Sequence, residues 1–459
     1  MDLISPLIIP RSEHNISRSI LSANAIHSLY RLKRNDFTSF LVGGCVRDLL
    51  LGREPKDFDL VTNATPGQIK KLFRNCRLVG RRFRLAHLHF ADEIIEVATF
   101  RALGLDEPDD NEPLTPNAGG TGAPPPVPRH LKSDEGVLLR DNVFGTPEED
   151  ARRRDFTVNA LFYDIGSFSI IDYCGGIADL KLGIIRTIGP PAERFTEDPV
   201  RMLRAVRFSA VLGFNIEDAT WDALVSLSAT ITRAAPPRLY EEMLKLFLCG
   251  EGEKGYQLMR QSGLFAALFP TFGEWLDLET EGFPHTWTGA ALDWLDRQTR
   301  EREKVTPHLL LALIFGEYLE EKGAILHGAG MPPQQALDAA VAGFLGELAG
   351  TVLIPHRIGM KMRDILACQR RFRKTPGKHP LSFITRPCFA EAFAYFRFIC
   401  GISGEGSDLL KWWDDYILAN GRSSQAEATG EREQVISTKP ARRRRRKRRR
   451  KRGDGQQSP

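Results

Sequence analysis

Asp57 and Asp59, with Phe58 between them, are the residues in this 459-residue chain best suited to do chemistry. Successive side chains on an extended strand point to opposite faces, so the two carboxylates point the same way and Phe58 turns into the core. Side by side they repel, and a cation relieves that repulsion. Hard divalent cations such as Mg²⁺ are held by one or two carboxylates together with substrate phosphate oxygens. Upstream lies Gly43-Gly44, a turn at which backbone N–H groups can approach a phosphate that Cβ atoms would obstruct. A lone D-x-D is most often a surface feature. In sequence after a Gly-Gly turn, with Arg47 and Asp48 between, it points to phosphoryl or nucleotidyl transfer.

These groups need elements to hold them. Residues 40–42 form an apolar run that breaks at the glycines, and a short amphipathic segment carries Arg47 into a second extended run with Asp57 and Asp59. Ahead of them, Ile16, Ile20, Ala23, Ile26 and Tyr30 recur at helical spacing and predict a helix over 16–33. Thr65-Pro66 has the form of an N-cap followed by Pro at N1 and predicts a helix to about Phe73. Residues 78–84 read as a strand with a basic turn, and 87–90 and 93–101 as further strands. The stretch 103–136 is rich in Pro, Gly and acids without periodicity, and is expected to be a mobile surface loop inserted between strands.

Thr146-Pro147 with Glu148 and Glu149 marks a helix start. Arg152, Arg153 and Arg154 then precede Asp155. A later helix is expected to open at Thr196, with Glu197 and Asp198 in its first turn and Pro199 close behind. On it Asp198 and Arg201 are three residues apart, where they can act together or simply form a salt bridge. Pro236-Pro237 starts another helix, with Glu241 and Lys245 spaced as an i,i+4 pair. From about 250 to 420 the pattern is amphipathic helix without strands, with Trp412, Trp413 and Tyr416 as core aromatics, and 421–440 is expected to be a polar linker.

The fold class is therefore an α/β head, a small mixed sheet backed by helices, followed by an all-helical neck and body and a disordered basic tail. The boundaries fall at 1–36 for an N-terminal extension and helix, 37–188 for the head, 189–250 for the neck, 251–420 for the body and 421–459 for linker and tail.

Composition bounds the rest. Hydrophobic residues make up 42% and charged residues 26%, as in soluble globular proteins, and no apolar run is long enough to span a bilayer. No secretory signal is evident at the N-terminus. Seven scattered cysteines without a C-x-x-C pair argue against a disulfide framework or structural zinc, and for a reducing cytoplasm. The net charge is +5, yet residues 442–452 are an unbroken run of Arg and Lys without which the chain would be acidic. Such a run cannot fold alone, and each phosphate it neutralises releases counterions, so it serves as an arm for RNA or DNA with steep salt dependence. Anionic membrane is the competing partner.

Nucleotidyl transfer also calls for a third carboxylate. Glu96, an acid in an apolar strand that needs a partner, and Asp155, behind three arginines, are both candidates. At this point the residues resemble the class II nucleotidyltransferases, the family that joins tRNA CCA-adding enzymes and bacterial poly(A) polymerases. LVGGCVRDLLLG with DFD is similar to its catalytic signature, RRDFTVNAL to the motif that selects the ribose, and EDPVR to the element whose Asp and Arg read the base. PPRLYEEMLKL resembles its neck helix.

The resemblance covers about residues 10–250, with the four motifs in the family's order. It implies Asp57, Asp59 and Asp155 as catalytic groups, and Mg²⁺ or Mn²⁺ held by Asp57 and Asp59, with Glu96 as the other candidate ligand. It also implies ATP contacted by Gly43, Gly44, Arg47, Arg154, Asp198 and Arg201. Three features are similar to the poly(A) polymerase branch: the basic segment 78–90, the N-terminal IIPRSEHNISRS, and the Arg-rich tail that would meet RNA 3′ ends. Template-independent addition of AMP to RNA is the expected reaction, and CCA addition to tRNA the alternative. Cys45 stands where the family commonly has a third small residue, often Gly.

Overall fold

A computed structural model describes residues 5–80, 84–102, 130–132, 138–141, 144–280, 283–284, 286–375, 377 and 379–433. The basic run 442–452 and most of the stretch 103–136 lie outside the described residues. The chain divides into two compact units, Met1–Ala367 and Cys368–Pro459.

The first unit opens with β1 (Leu7–Ile9) and α1 (Ala23–Lys33), followed by β2 (Ser39–Val42), α2 (Gly44–Leu50) and β3 (Asp59–Thr62). Then come α3 (Pro66–Leu72), β4 (Cys76–Val79), β5 (Leu85–His89) and β6 (Ile94–Thr99). A hairpin of β7 (His130–Lys132) and β8 (Leu138–Asp141) precedes α4 (Pro147–Arg152), β9 (Leu161–Asp164), β10 (Ser169–Asp172) and α5 (Gly176–Leu182).

Eight strands form one sheet in the order β1-β10-β9-β2-β3-β6-β5-β4. It is mixed: β3 and β6 run parallel, and the other neighbours are antiparallel. Alternation assigns each residue a face. Leu41, Leu60, Val97 and Tyr163 pack with α1, α2 and α3 residues in one core, and Phe40, Val42, Val61 and Phe162 with Phe100 and Ala151 in the other. Phe58 packs against the helix-backed core, as its place between the two acids predicts.

Local signals set several boundaries. Thr65 and Thr146 each close a capping box, with Gln68 and Glu149 answering three residues on, and Pro at N1 in both cases. Other expectations need correcting. The helix expected over 16–33 is only α1, because Ser22 caps at Asn24 and Ala25 and a single 3₁₀ turn, Arg18–Ile20, stands before it. Strand β3 begins at Asp59, so Asp57 sits just ahead of it. Within the expected loop 103–136, residues 130–132 are paired as β7.

The neck begins with the parallel pair β11 (Ile184–Ile185) and β12 (Asn215–Ile216), which flanks α6 (Pro191–Glu197) and α7 (Val200–Leu212). Helices α8 (Asp218–Leu227) and α9 (Pro236–Phe247) follow. Thr196 does not open a helix: it lies inside α6 with its hydroxyl donated to Ala192 O, and α7 starts after Pro199, which supplies no side-chain cap. The body of the first unit is helical around Phe265, Phe269, Phe272, Phe315 and Phe344, whose rings meet at tilted and edge-on angles. One hairpin, β13 (Glu279–Thr280) with β14 (Phe283–Pro284), interrupts the strand-free pattern.

In the second unit, Phe372, Phe383, Phe389, Phe396 and Trp413 form the core, and Trp413 Nε1 donates to Phe372 O at 3.0 Å. Trp412 and Tyr416 are half-buried and stack on each other. The helix Ser407–Glu433 continues through the first part of the expected linker. No helix among the described residues is long and apolar enough to cross a membrane. All seven cysteines are free thiols.

Candidate active site

Register brings the acids together. Asp59 on β3 stands beside Glu96 on the parallel β6, on the face that also carries Val61 and Ala98. Asp57 is exposed at the strand's start. Burial, then the charges of Asp57 and Glu96, push the Asp59 carboxyl up to about 7, and the Arg154 guanidinium only partly offsets them. A carboxylate held this way is short of positive charge. That donor set fits a divalent cation shared between Asp57, Asp59 and a phosphate-bearing substrate. Among the described residues no three His, Cys, Asp or Glu side chains converge on one point, and Glu96 is turned toward His87 Nε2 at 3.3 Å.

One consequence can be measured on the chelated protein. The folded chain keeps a proton on Asp59 that the unfolded chain releases near its ordinary carboxylate value, so stability contributed by this group falls as pH rises from about 4 to about 7. A cation favours the ionised form and reverses the trend. Added Mg²⁺ is therefore expected to raise the melting temperature more at about pH 8 than at about pH 5.5, a difference absent in Asp59→Asn. Equal shifts at both pH values would contradict it.

Gly43 shapes the turn. Its φ of +81° with ψ of −135° is a conformation that side-chain-bearing residues avoid. Its N–H donates to Leu161 O at 3.2 Å. A Cβ there would stand 3.3 Å from Arg154 Nη1 and 3.7 Å from Asn159 O, and one at Gly44 would be 3.6 Å from Arg47 Nη2. The turn therefore lies directly against the two motif arginines. Cys45 is buried behind it with its thiol on Val42 O, and burial pushes that thiol up to about 12, so it stays neutral.

Arg154 donates Nε and Nη2 to Asp150 Oδ2 and lies over the Phe162 ring. Arg153, Arg101, Arg194 and Arg201 gather on the same side, and burial followed by their mutual repulsion holds Arg153 well below the usual guanidinium range. A polyanion such as a triphosphate would relieve that repulsion.

Arg47 and Asp155 are placed differently from Arg154. Arg47 is buried, with Nε and Nη2 on Asp48 Oδ1 and Nη1 on Asn159 Oδ1 at 2.6 Å. Asn159 Nδ2 in turn donates to Asp155, whose other oxygen takes Arg204 Nε at 2.7 Å. Arg204 and the Asn159 amide, outweighing burial, hold the Asp155 carboxyl down at about 2. Asp155 thus belongs to a buried strut, Arg47–Asn159–Asp155–Arg204, while Glu96 is the acid felt by Asp59.

Asp198 and Arg201 have separate anchors. The Asp198 carboxylate accepts both Nη groups of Arg238, at 3.0 and 2.9 Å, whereas Arg201 donates to Glu197 Oε2 and to the carbonyls of Arg194 and Arg153. Arg207 donates to Glu242 at 2.5 Å, so α9 is tied to the α6–α7 segment twice. Arg204 and Arg238 carry no mark of these roles in the sequence, since their partners come from distant segments, and Asn159, though it meets the nearby Asp155, also takes Arg47 from far upstream. Asp150 on α4 and Arg154, just past its end, are four residues apart, a spacing that could have signalled their pairing.

Paired acids at the start of a central strand of a mixed sheet, a two-glycine turn and a gathering of arginines are the parts expected of a nucleotidyltransferase head. Comparison with known proteins narrows the class. Residues 39–186 match the family model "Poly A polymerase head domain", 213–276 "Probable RNA and SrmB- binding site of polymerase A", and 329–452 "Polymerase A arginine-rich C-terminus". The chain is 41% identical to Poly(A) polymerase I of Salmonella typhi over 94% of this chain and 88% of that one. It is 39% identical to the Haemophilus influenzae Poly(A) polymerase I over 95% and 93%. A CCA-adding enzyme of Staphylococcus saprophyticus is 35% identical over only 48% of each chain. In fold, the chain resembles the Bacillus stearothermophilus CCA-adding enzyme crystallised with CTP, with a TM-score of 0.57 over 86% of this chain and 82% of that one at 23% identity. The chain belongs to the bacterial poly(A) polymerase family, within the wider group of tRNA nucleotidyltransferases.

Proposed function

We propose that this protein polyadenylates RNA: it transfers AMP from ATP to a 3′-hydroxyl without a template and releases pyrophosphate. The observation that carries the reading is the Asp57–Asp59 pair, with Asp59 in the field of an Arg154 that lies against the Gly43 turn, in a chain aligned nearly end to end with poly(A) polymerases. The RNA 3′-oxygen bonds to the α-phosphorus as the bond to the β-phosphate bridge breaks. Mg²⁺ or Mn²⁺ bound by Asp57 and Asp59 supplies charge neutralisation and Lewis acidity for such a displacement.

The chain's own groups do the positioning. The Gly43 turn admits the phosphates closely, and Arg154 with its neighbouring guanidiniums receives the pyrophosphate charge. Asp198, aimed by Arg238, and Arg201, fixed by Glu197, present a preformed edge for the base. The stretch matching the RNA-binding model begins at 213, so the acceptor surface includes α8 and α9 as well as the body.

Incubation with unstructured RNA, a divalent cation and ATP tests the reading: a long ladder of added A supports it, and no extension contradicts it. The tail supplies a separate expectation. Deleting residues 441–452 is expected to weaken RNA binding strongly at low salt and little at high salt, with ATP KM unchanged, because on single strands the logarithm of affinity falls by about 0.7 per tenfold rise in salt for each phosphate neutralised. Equal loss at both salt concentrations would show that the tail is no electrostatic arm.

A further inference from the structure

Tyr163 follows Phe162 on β9 and so points to the other face of the sheet, away from Asp59 and Arg154. Its side chain is fully buried, yet its hydroxyl has no hydrogen-bond partner among the described residues. Buried hydroxyls left in that state are uncommon and ask for an explanation. Tyr163 is one of the residues lining a cavity of about 440 Å³, together with Arg11, Ser17, Arg18, Ser19 and Phe168. The lining therefore holds two guanidiniums, three hydroxyls and no carboxylate.

The walls are built to stay in place. Arg11 donates to His14 O at 2.7 Å, and Arg18 lies 5.1 Å from the Phe168 ring centroid with one nitrogen toward Tyr30 Oη. Both retain most of their N–H donors. Phe168 has a φ of +54°, a left-handed conformation that a bulky residue rarely adopts, and its carbonyl meets His14 Nε2 at 2.9 Å. Asp164, whose charge reaches Tyr163, is paired with Lys33 and accepts from the N–H groups of Gly166 and Ser167. No acid is among the residues that line the cavity.

We propose that this cavity, formed by the N-terminal segment and Tyr163 on the back of the head, is a second phosphate-binding site, taking a phosphate group of RNA or of a free nucleotide. Guanidiniums supply charge-assisted forks, and the serine and tyrosine hydroxyls complete the oxygens' coordination. The site is separate from the carboxylate face and does not depend on the reaction assigned to it.

The test compares the full-length protein with Arg11→Gln/Arg18→Gln and with Tyr163→Phe, which removes one hydroxyl and keeps the ring. Circular dichroism checks that each is folded. Inorganic phosphate, against chloride at matched ionic strength, is expected to raise the melting temperature of the wild type more than that of either variant. Labelled oligo(A) should bind both variants roughly five- to tenfold more weakly if the natural ligand is an RNA phosphodiester. Unchanged oligo(A) binding with a lost phosphate response assigns the site to a free nucleotide or phosphate ion. A wild-type phosphate response and wild-type RNA affinity in Tyr163→Phe overturn the proposal, even if the arginine pair weakens RNA binding through net charge.

Discussion

Asp59→Asn is expected to reduce AMP incorporation on the order of 10³-fold or more, with RNA affinity within about twofold of wild type. Asp59 is the half-buried member of the acid pair, and its high proton affinity without a cation marks it as the group that needs one. The amide keeps the shape and removes the charge, so packing against β6 survives. Asp57→Ala should lose comparable activity, since the exposed partner brings the second oxygen donor. Single-turnover incorporation with saturating ATP separates chemistry from binding. A loss confined to KM, or a fall in RNA affinity to match the fall in rate, would place the chemistry elsewhere.

Asp155→Ala is expected to act on stability first. Its carboxylate answers Arg204 and Asn159, and removing it strands the guanidinium and breaks the link to Arg47. Breaking a buried ion pair costs about 3–5 kcal/mol. Arg204 retains 32% side-chain exposure, so the loss here should lie near or below the lower end, about 2–3 kcal/mol. The pH dependence has a definite sign. The folded-state value of about 2 lies below the unfolded one, so the stabilisation is present above about pH 4 and is lost as pH falls toward 2. Denaturant unfolding of wild type and variant should converge in that window. A variant that melts like wild type but cannot transfer AMP would make Asp155 a catalytic acid instead of a strut.

The sequence was most informative where the chemistry is local. Thr65 and Thr146 announce their helices because cap, proline and the answering Gln or Glu lie within four residues. Phe58 and Asp59 declare their opposite faces by alternation, whereas Asp57 lies ahead of β3. Thr196 misled because a helix start before Pro199 looks the same whether the threonine caps a new helix or ends an old one; the chain breaks at Asp198, the residue before Pro199, whose backbone is extended. Spacing cannot show the partners of Glu96 and Asp155: the parallel register of β3 with β6 brings Glu96 beside Asp59, and Arg204 arrives at Asp155 from α7. The back cavity could not be read from the segment IIPRSEHNISRS alone, because Tyr163 joins it from β9.

The most direct measurement offers the full-length protein each of the four nucleoside triphosphates with a divalent cation, on an unstructured RNA and on a tRNA lacking its 3′ end. A long A ladder on both acceptors, with the other three nucleotides incorporated poorly, is the expected result. Growth that stops at CCA, needs CTP and ignores the unstructured RNA would contradict it.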